Sequence, residues 1–249
     1  MSGWPDNYGR RVLVSVDSTL SEATRIAPQL SGPEWILAHE QTAARGRRGR
    51  AWMMLKGNFA ATLLLPVSGP PADAALRSFI ASLALRDAFV AATGQEDAFA
   101  LKWPNDVLLR GGKVAGILLE SAGQSGGLNH LAIGIGVNLA AAPTVGEVEE
   151  GAVRPVSLRG ELGVTVSVED FLDLLASAFA RYEDQFRTYG FAPIRKAWMI
   201  HAARLGEVII ARTAREEWQG TFREVDETGQ LVLETSQGRI AIPAADVYF

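Results

Sequence analysis

Residues 45–50 combine four arginines with two glycines, and this cluster is the part of the sequence with the clearest potential for chemistry. Gln41 precedes the cluster and Trp52 follows it. Guanidinium groups bind carboxylate or phosphate oxygens two at a time, and glycine lets a backbone approach a ligand closely. Residues 41–52 therefore predict a loop that binds anions.

Two further groups could act together with this loop. Lys113 begins an apolar stretch containing Gly116, and a glycine inside a strand indicates a bulge or a ligand pressed against the backbone. Alternatively, Lys113 is a solvated residue beside a hairpin. Ser18 and Thr19 stand where a strand meets a helix, although the Thr19-x-x-Glu22 spacing alone favours a helix-capping role for them. The loop arginines and Lys113 together suit a reaction that joins two anions. Two such anions repel each other by about 4 kcal/mol at ~4 Å when the effective dielectric constant is near 20.

Composition narrows the possible classes of protein. The 249 residues include no cysteine, which excludes disulfides and thiolate nucleophiles, and the net charge is -4. An acidic chain with one local cationic loop suits a small anionic ligand better than a long polyanion. The three histidines show no ligand spacing, so no metal site is predicted. The absence of a long apolar run and of an export signal predicts a cytoplasmic protein that does not bind membranes.

Hydrophobic periodicity predicts alternating strands and helices followed by a β-rich segment. The predicted strands are 11–17, 35–38, 59–65, 99–103, 107–109, 113–120 and 131–139, and the predicted helices start at Thr19 and span 74–93, 167–189 and 192–203. Gly111 and Gly112 predict a tight hairpin, a Gly/Ser loop follows Glu120, and 141–157 predicts a surface loop. Short alternating strands after Gly206 are typical of a small β-barrel. We expect two domains, 1–204 and 205–249.

Familiar catalytic and nucleotide-binding signatures are missing. Gly-x-Ser-x-Gly and the Walker loop do not occur, and Gly134-Ile135-Gly136 lacks the third glycine of a dinucleotide fingerprint. Catalysis by positioning and electrostatics, with Arg45, Arg47 and Lys113 as the cations, remains the expectation.

Five stretches in order resemble the biotin protein ligases. They are Asp17-Ser18-Thr19, Gln41 through Trp52, Lys102-Trp103-Pro104-Asn105-Asp106-Val107, Lys113 through Glu120, and Gly134 through Leu139. The resemblance covers residues 17–139. It implies a mixed β-sheet with flanking helices, as in class II aminoacyl-tRNA synthetase catalytic domains, and a C-terminal SH3-like β-barrel. It also implies activation of biotin by ATP and Mg²⁺ to biotinyl-5′-adenylate, then transfer to a lysine of a biotin carboxyl carrier protein of acetyl-CoA carboxylase or a related carboxylase.

The resemblance implies a role for each matching position. Residues implied to bind biotin are Ser18, Thr19, Gln41, Arg45, Gly46, Arg47, Lys113, Gly116, Gly134 and Gly136. Residues implied to bind ATP are Arg47, Trp52, Lys102, Asn105, Asp106, Lys113 and Asn138. Asp106 is further expected to help deprotonate the carrier lysine. The residues expected to be catalytic are Arg45, Arg47 and Lys113.

Two positions depart from the family pattern. Leu20 replaces a frequent asparagine, which removes any polar contact from that position, and Ala44 replaces a glycine, which restricts the backbone if a positive φ is required. Only about ten residues precede the first predicted strand, so we expect no N-terminal DNA-binding module and no operator binding. A homodimer is compatible with the sequence.

Two rival functions stay open at this point. A lipoate–protein ligase has the same fold class, although the Arg-Gly-Arg loop and the Lys-Trp-Pro-Asn-Asp stretch match the biotin branch. An RNA-binding module would use Arg45 to Arg50, would lose affinity steeply with salt, and would not need Lys113.

Overall fold

The computed structural model describes residues 3–122, 129–149, 151–213 and 215–249. Its larger sheet has seven strands in the order β1-β2-β3-β7-β6-β5-β4, in which β1 and β2 are parallel and the other neighbours antiparallel. The strands are β1 (Gly9–Val16), β2 (Glu34–Gln41), β3 (Phe59–Pro66), β4 (Phe99–Lys102), β5 (Asp106–Leu109), β6 (Gly112–Ala122) and β7 (His130–Val137). The predicted mixed sheet is confirmed. Residues 123–128, within the predicted Gly/Ser loop, lie outside the described residues.

Helices pack against this sheet through a large apolar core. They are α1 (Thr19–Ile26), α2 (Pro71–Ala75), α3 (Arg77–Thr93), α4 (Leu158–Leu162), α5 (Val168–Tyr189) and α6 (Phe191–Ile200). Phe171 on α5 joins the sheet and α3, because its ring lies 5.3 Å from that of Phe59 and 5.1 Å from that of Phe89. Both partners are fully buried, so α3 and α5 form the layer that supports the central strands.

The two long helices of the larger region differ in how well the sequence predicted them. The predicted helix over 74–93 is divided at Leu76, where the Phe79 N–H donates to the Leu76 carbonyl three residues back and tightens the turn. The predicted helix over 167–189 is confirmed as α5, and Ser167 caps it, since the Asp170 N–H donates to Ser167 Oγ at 3.0 Å. None of the helices in the described part of the chain is long and apolar enough to cross a membrane.

The C-terminal region forms a second, five-stranded antiparallel sheet in the order β11-β10-β9-β8-β12. Its strands are β8 (Val208–Arg212), β9 (Glu217–Val225), β10 (Leu231–Thr235), β11 (Gly238–Ile242) and β12 (Asp246–Tyr248). The indole N–H of Trp103 donates to the Gly229 carbonyl at 3.0 Å, and Arg195 donates to the Val225 carbonyl at 2.7 Å. These bonds tie the second sheet to the first region. The division at residues 204 and 205 stays a prediction.

The hairpin between β5 and β6 forms one residue earlier than predicted. Leu109 pairs with Gly112, so the two turn residues are Arg110 (φ 48°) and Gly111 (φ 80°). Gly112 is needed for a different reason, because a Cβ there would lie 2.3 Å from Val156. The hairpin places Lys113 near the start of β6, beside the end of β5.

Candidate active site

A cleft of about 700 Å³ lies between the larger sheet, the loop that follows β2 and the last strand of the chain. Every residue predicted for the site lies in its lining. They are Ser18, Thr19, Gln41, Arg45, Gly46, Arg47, Trp52, Lys102, Asn105, Asp106, Lys113, Gly116, Gly134, Gly136 and Asn138. We call the neutral group Ser18, Thr19 and Gln41 the hydroxyl end of the cleft. The cation end consists of Arg45, Arg47, Arg50, Lys102 and Lys113.

The hydroxyl end is organised around the start of α1. Ser18 is the N-cap residue, but its side chain makes no capping bond, and its own N–H donates to Asp17 Oδ1 at 2.8 Å. The Thr19 N–H donates to Gln41 Oε1 at 2.8 Å, and the Thr19 hydroxyl donates to the same oxygen at 3.2 Å. The predicted capping-box role of Thr19 is therefore wrong. Because Gln41 supplies the acceptor, the hydroxyls of Ser18 and Thr19 are not used as caps.

The glycines of β6 and β7 make room for side chains of the protein itself. A Cβ on Gly136 would lie 2.5 Å from Trp52, and one on Gly116 would lie 3.2 Å from the same ring. Trp52 thus lies flat on the sheet and forms an apolar platform. Its indole N–H is buried against the sheet and has no hydrogen-bond partner among the described residues.

Leu20 fills the space above the third glycine. A Cβ on Gly134 would lie 2.8 Å from Leu20, which is 4% exposed and belongs to a small apolar cluster under α1. The residue that departs from the family pattern is therefore an apolar packing residue. Its side chain borders the cleft beside the hydroxyl end.

Backbone bonds hold the arginine loop in a compact turn. The Gly46 N–H donates to the Arg50 carbonyl at 2.7 Å, and the Trp52 N–H donates to the Ala44 carbonyl at 3.0 Å. The positive φ angles of this turn fall on Arg48 (57°) and Gly49 (74°), not on Ala44. Alanine in place of the family's glycine is therefore accommodated without left-handed strain.

Every arginine of the loop is paired with a protein carboxylate. Arg45 makes a bidentate pair with Glu120, at 3.0 and 2.8 Å, and a third bond to Ser21 Oγ at 2.8 Å. Arg50 Nε lies 2.7 Å from Glu149 Oε1. Such contacts fix the direction of each guanidinium group before any ligand enters.

Asp246, at the start of β12, is the point where three arginines meet. Its carboxylate lies 2.6 Å from Arg48, 3.4 Å from Arg50 and 3.5 Å from Arg47. Arg47 also donates to Asn105 Oδ1 at 3.3 Å. A residue of the second sheet therefore occupies the position of an anion at the cation end.

A buried carboxylate joins the two lysines. Asp106 Oδ1 lies 2.7 Å from Lys113 Nζ, and Asp106 Oδ2 lies 3.9 Å from Lys102 Nζ. Burial works to raise the pKa of Asp106, but the charges of Lys113 and Lys102 outweigh it, so this pKa lies below its usual range. Burial lowers the pKa of Lys102, and the attraction of Asp106 opposes that shift.

Asn138 and Asn105 use their amides to build the walls of the cleft. Asn138 donates to the Val156 carbonyl at 3.1 Å and accepts from Asn58 at 3.3 Å. Asn105 donates to the Ile117 carbonyl of β6 while its oxygen accepts from Arg47. Both amides are hydrogen-bonded to protein partners, so these side chains form part of the cleft wall.

The sequence did not indicate three carboxylates that pair with the loop arginines, nor a hydroxyl that lies behind Thr19. Asp246, Glu149 and Glu120 pair with the arginines, and Thr62 donates to the Thr19 hydroxyl at 2.8 Å. Thr62 carried a detectable signal, because it is a single hydroxyl in the apolar run 59–65. Asp246 and Glu149 carried none, since each is about 100 to 200 residues from its partner in the sequence.

Comparison with known proteins shows the family of the chain. The model of the Biotin/lipoate A/B protein ligase family matches residues 10–138. The Biotin--[acetyl-CoA-carboxylase] ligase of Paracoccus denitrificans is 58% identical over 238 residues, which cover 96% of this chain and 99% of the relative. The Bifunctional ligase/repressor BirA of Bacillus subtilis is 31% identical over 241 residues, which cover 95% of this chain and 71% of the relative.

Solved structures show the same fold. The biotin protein ligase from Aquifex aeolicus, in complex with biotin and ATP, aligns with a TM-score of 0.81 at 23% identity and covers 96% of this chain and 97% of its own. The Leishmania major biotin protein ligase in complex with biotinyl-5-AMP aligns with a TM-score of 0.66 at 23% identity, over 96% and 100% of the two chains. The predicted fold class is confirmed. The chain belongs to the Biotin/lipoate A/B protein ligase family.

Proposed function

We propose that this protein activates biotin with ATP to biotinyl-5′-adenylate and then transfers the biotinyl group to a lysine of a biotin carboxyl carrier protein. The observation that carries the proposal is the presence of both ends in one cleft. A neutral hydrogen-bonding end suits the head group of an acid, and a cationic end suits its carboxylate and a triphosphate. The 58% identity to a ligase of this name supports the choice of biotin and of a carboxylase carrier.

The hydroxyl end favours biotin over lipoate. A ureido ring carries a carbonyl acceptor beside two N–H donors, whereas a dithiolane ring carries neither. Gln41 has donors available on its amide nitrogen, and Thr19 has a lone pair on its hydroxyl. A site built to hydrogen-bond a substrate discriminates strongly against an analogue that lacks those groups, by about 10⁴–10⁵ in favourable cases.

The cation end would lower the repulsion of the two reacting anions. In the adenylation step a carboxylate oxygen of biotin attacks the α-phosphorus of ATP, and the bond to the β-phosphate breaks to release pyrophosphate. Arg45, Arg47 and Lys113 line the cleft where this charge develops. Since Lys113 faces Asp106 and Arg47 faces Asp246, each cation exchanges a protein carboxylate for a substrate oxygen.

Asp106 is suited to the transfer step. The amine of the carrier lysine attacks the acyl carbon of the adenylate, AMP leaves, and a proton must be removed from the nitrogen. The carboxylate is buried and is kept ionised by Lys113 and Lys102. When Lys113 turns towards phosphate, Asp106 loses its closest cation while it remains buried, which raises its affinity for a proton.

Magnesium would accompany ATP without a dedicated protein cage. Among the described residues no group of three or more His, Asp or Glu side chains could hold a metal ion. Asp106 on β5 and Asp246 on β12 both line the cleft, and both already face cations. Mg²⁺ held by the phosphates would neutralise their charge when bound. Trp52 would pack against the adenine through its exposed platform face.

Pyrophosphate release tests the proposal. The full chain is incubated with ATP, Mg²⁺ and either biotin or lipoate, and pyrophosphate is measured with each acid. We expect release with biotin and little with lipoate. Equal release with lipoate would support the lipoate ligase, and no release with either acid by folded protein would refute both. An RNA-binding module is disfavoured because the chain has a net charge of -4 and is 58% identical to a ligase over almost its whole length.

The proposal also covers the localisation, the partners and the oligomeric state of the protein. We propose a cytoplasmic enzyme that acts on a carrier protein, does not bind operator DNA, and is able to form a homodimer. A salt-resistant, sequence-selective shift of duplex DNA would contradict the second of these properties.

A further inference from the structure

Thr62 lies one hydrogen bond behind the hydroxyl end of the cleft. It sits on β3 opposite Gly134 of β7, and its side chain is fully buried. Its hydroxyl donates to Thr19 Oγ1 at 2.8 Å. Thr62 is not part of the cleft lining, so any effect on a ligand must pass through Thr19.

The direction of each hydrogen bond in this chain follows from a backbone group. The Thr19 N–H can only donate, so the atom of Gln41 that faces it at 2.8 Å must be the amide oxygen. That oxygen can only accept, so the Thr19 hydroxyl at 3.2 Å donates to it. With its single proton used, Thr19 can only accept from Thr62.

This order determines what the cleft offers to a ligand. Gln41 keeps both N–H groups of its amide nitrogen, and among the described residues it donates them to no protein group. Thr19 keeps one lone pair, because the other accepts from Thr62. The pair therefore presents amide donors next to a hydroxyl acceptor. That arrangement complements the adjacent C=O and N–H of a cyclic urea.

We propose that Thr62 is a positioning residue for the ureido head group, which it orients through Thr19 without touching the ligand. The inference rests on the proposed function. Its physical basis is that the Thr62 hydroxyl holds the rotamer of Thr19 and satisfies one of its buried lone pairs. Removing that donor leaves a buried acceptor unpaired, which costs roughly 1–3 kcal/mol, or about 5- to 150-fold in an equilibrium constant.

The test compares Thr62→Val, which keeps the shape and loses the hydroxyl, with Thr62→Ser, which keeps the hydroxyl. KM for biotin, KM for ATP and kcat are measured by pyrophosphate release. We expect Thr62→Val to raise KM for biotin by about tenfold or more, with kcat and KM for ATP within about threefold of wild type. Thr62→Ser should stay within about threefold of wild type in all three constants. Thr93→Val, far from the cleft, is the matched control.

Substrate analogues separate positioning from general damage. Desthiobiotin keeps the ureido ring and should suffer the same loss in Thr62→Val as biotin. Lipoate lacks that ring, and its weak binding, measured by calorimetry, should not change. If Thr62→Val does not fold, Thr62→Ala removes the hydroxyl without adding bulk and replaces it in the same measurements.

Three results would overturn the inference. The first is an unchanged KM for biotin in Thr62→Val. The second is an equal rise of KM for biotin in Thr62→Ser, and the third is an equal rise of KM for ATP in Thr62→Val. Failure of the proposed function looks different, because wild-type protein would then release no pyrophosphate with biotin.

Discussion

The two ends of the cleft differ in charge and in the way their side chains are held. At the hydroxyl end, Thr19, Gln41 and Thr62 are neutral, held by regular strands and a helix start, and joined by a directed chain of hydrogen bonds. At the cation end, the loop arginines and Lys113 are paired with carboxylates, which a substrate would displace in the proposed mechanism. The first end is ready for its ligand as it stands, whereas the second must exchange partners.

This difference assigns separate tasks to the two ends. Preformed hydrogen bonds give specificity, because an acid without matching groups leaves buried polar atoms unpaired. In the proposed mechanism the exchangeable ion pairs give catalysis, because the cations are positioned in advance and reach their full effect only when substrate charge replaces protein charge. Changes at the hydroxyl end should therefore alter KM for biotin, and changes at the cation end should alter the rate or the affinity for ATP.

The largest effects should come from removing the cations themselves. Lys113→Ala and Arg47→Ala should each lower the rate of adenylate formation at least about a hundredfold, because each loses a charged donor aimed at the reacting oxygens. Single-turnover pyrophosphate release measures this rate. Lys196→Ala and Arg159→Ala, whose side chains lie on the surface away from the cleft, are the matched controls. Near-normal turnover in both site variants would contradict the electrostatic account.

A smaller and opposite effect should follow from neutralising Asp246. If this carboxylate occupies the place of an anion, Asp246→Asn should tighten ATP binding by about two- to fivefold at low salt, since a partly exposed ion pair contributes up to roughly 1 kcal/mol. Calorimetry with ATP measures the change, and Asp184→Asn on the outer face of α5 is the control. Weaker binding of ATP would mean that Asp246 mainly positions the loop. The proposal that ATP replaces this carboxylate would then be wrong.

The smallest effect concerns pH. Burial lowers the pKa of Lys102, so this lysine should lose its proton at a lower pH than an ordinary surface lysine. The alkaline fall in kcat/KM for ATP should therefore begin early, and Lys102→Arg should move it to higher pH because a guanidinium stays charged. A pH profile of pyrophosphate release tests this. An alkaline limb that does not move in Lys102→Arg would show that Lys102 is not the titrating group.

The parts of the site that lie within short motifs could be predicted from the sequence. Arg45, Arg47 and Lys113 stand in stretches whose residue types indicate their chemistry, whereas the role of Trp52 was implied only by the family resemblance. The prediction that Thr19 caps the helix was wrong. The Thr19 N–H donates to Gln41, which lies on β2 and is distant in the sequence. The turn of the β5–β6 hairpin was misplaced by one residue, since a glycine required by contact with Val156 looks the same as a turn glycine.

The remaining parts depend on contacts between distant segments. Asp246 reaches the loop only because the second sheet is docked through Trp103 and Arg195. No periodicity or local spacing in β12 indicates that contact. Trp103 itself lies in a stretch assigned to the nucleotide, yet its indole contacts the second sheet. Long-range docking is thus the part of the site that a single sequence does not predict.

The most direct test of the account is the mass of the product formed at the site. Wild-type protein is mixed with biotin, ATP and Mg²⁺ without a carrier, and the small molecules bound after quenching are analysed by mass spectrometry. We expect biotinyl-5′-adenylate, with one pyrophosphate released for each adenylate, and we expect Lys113→Ala to form none. Folded wild-type protein that binds both substrates and forms no adenylate would contradict it.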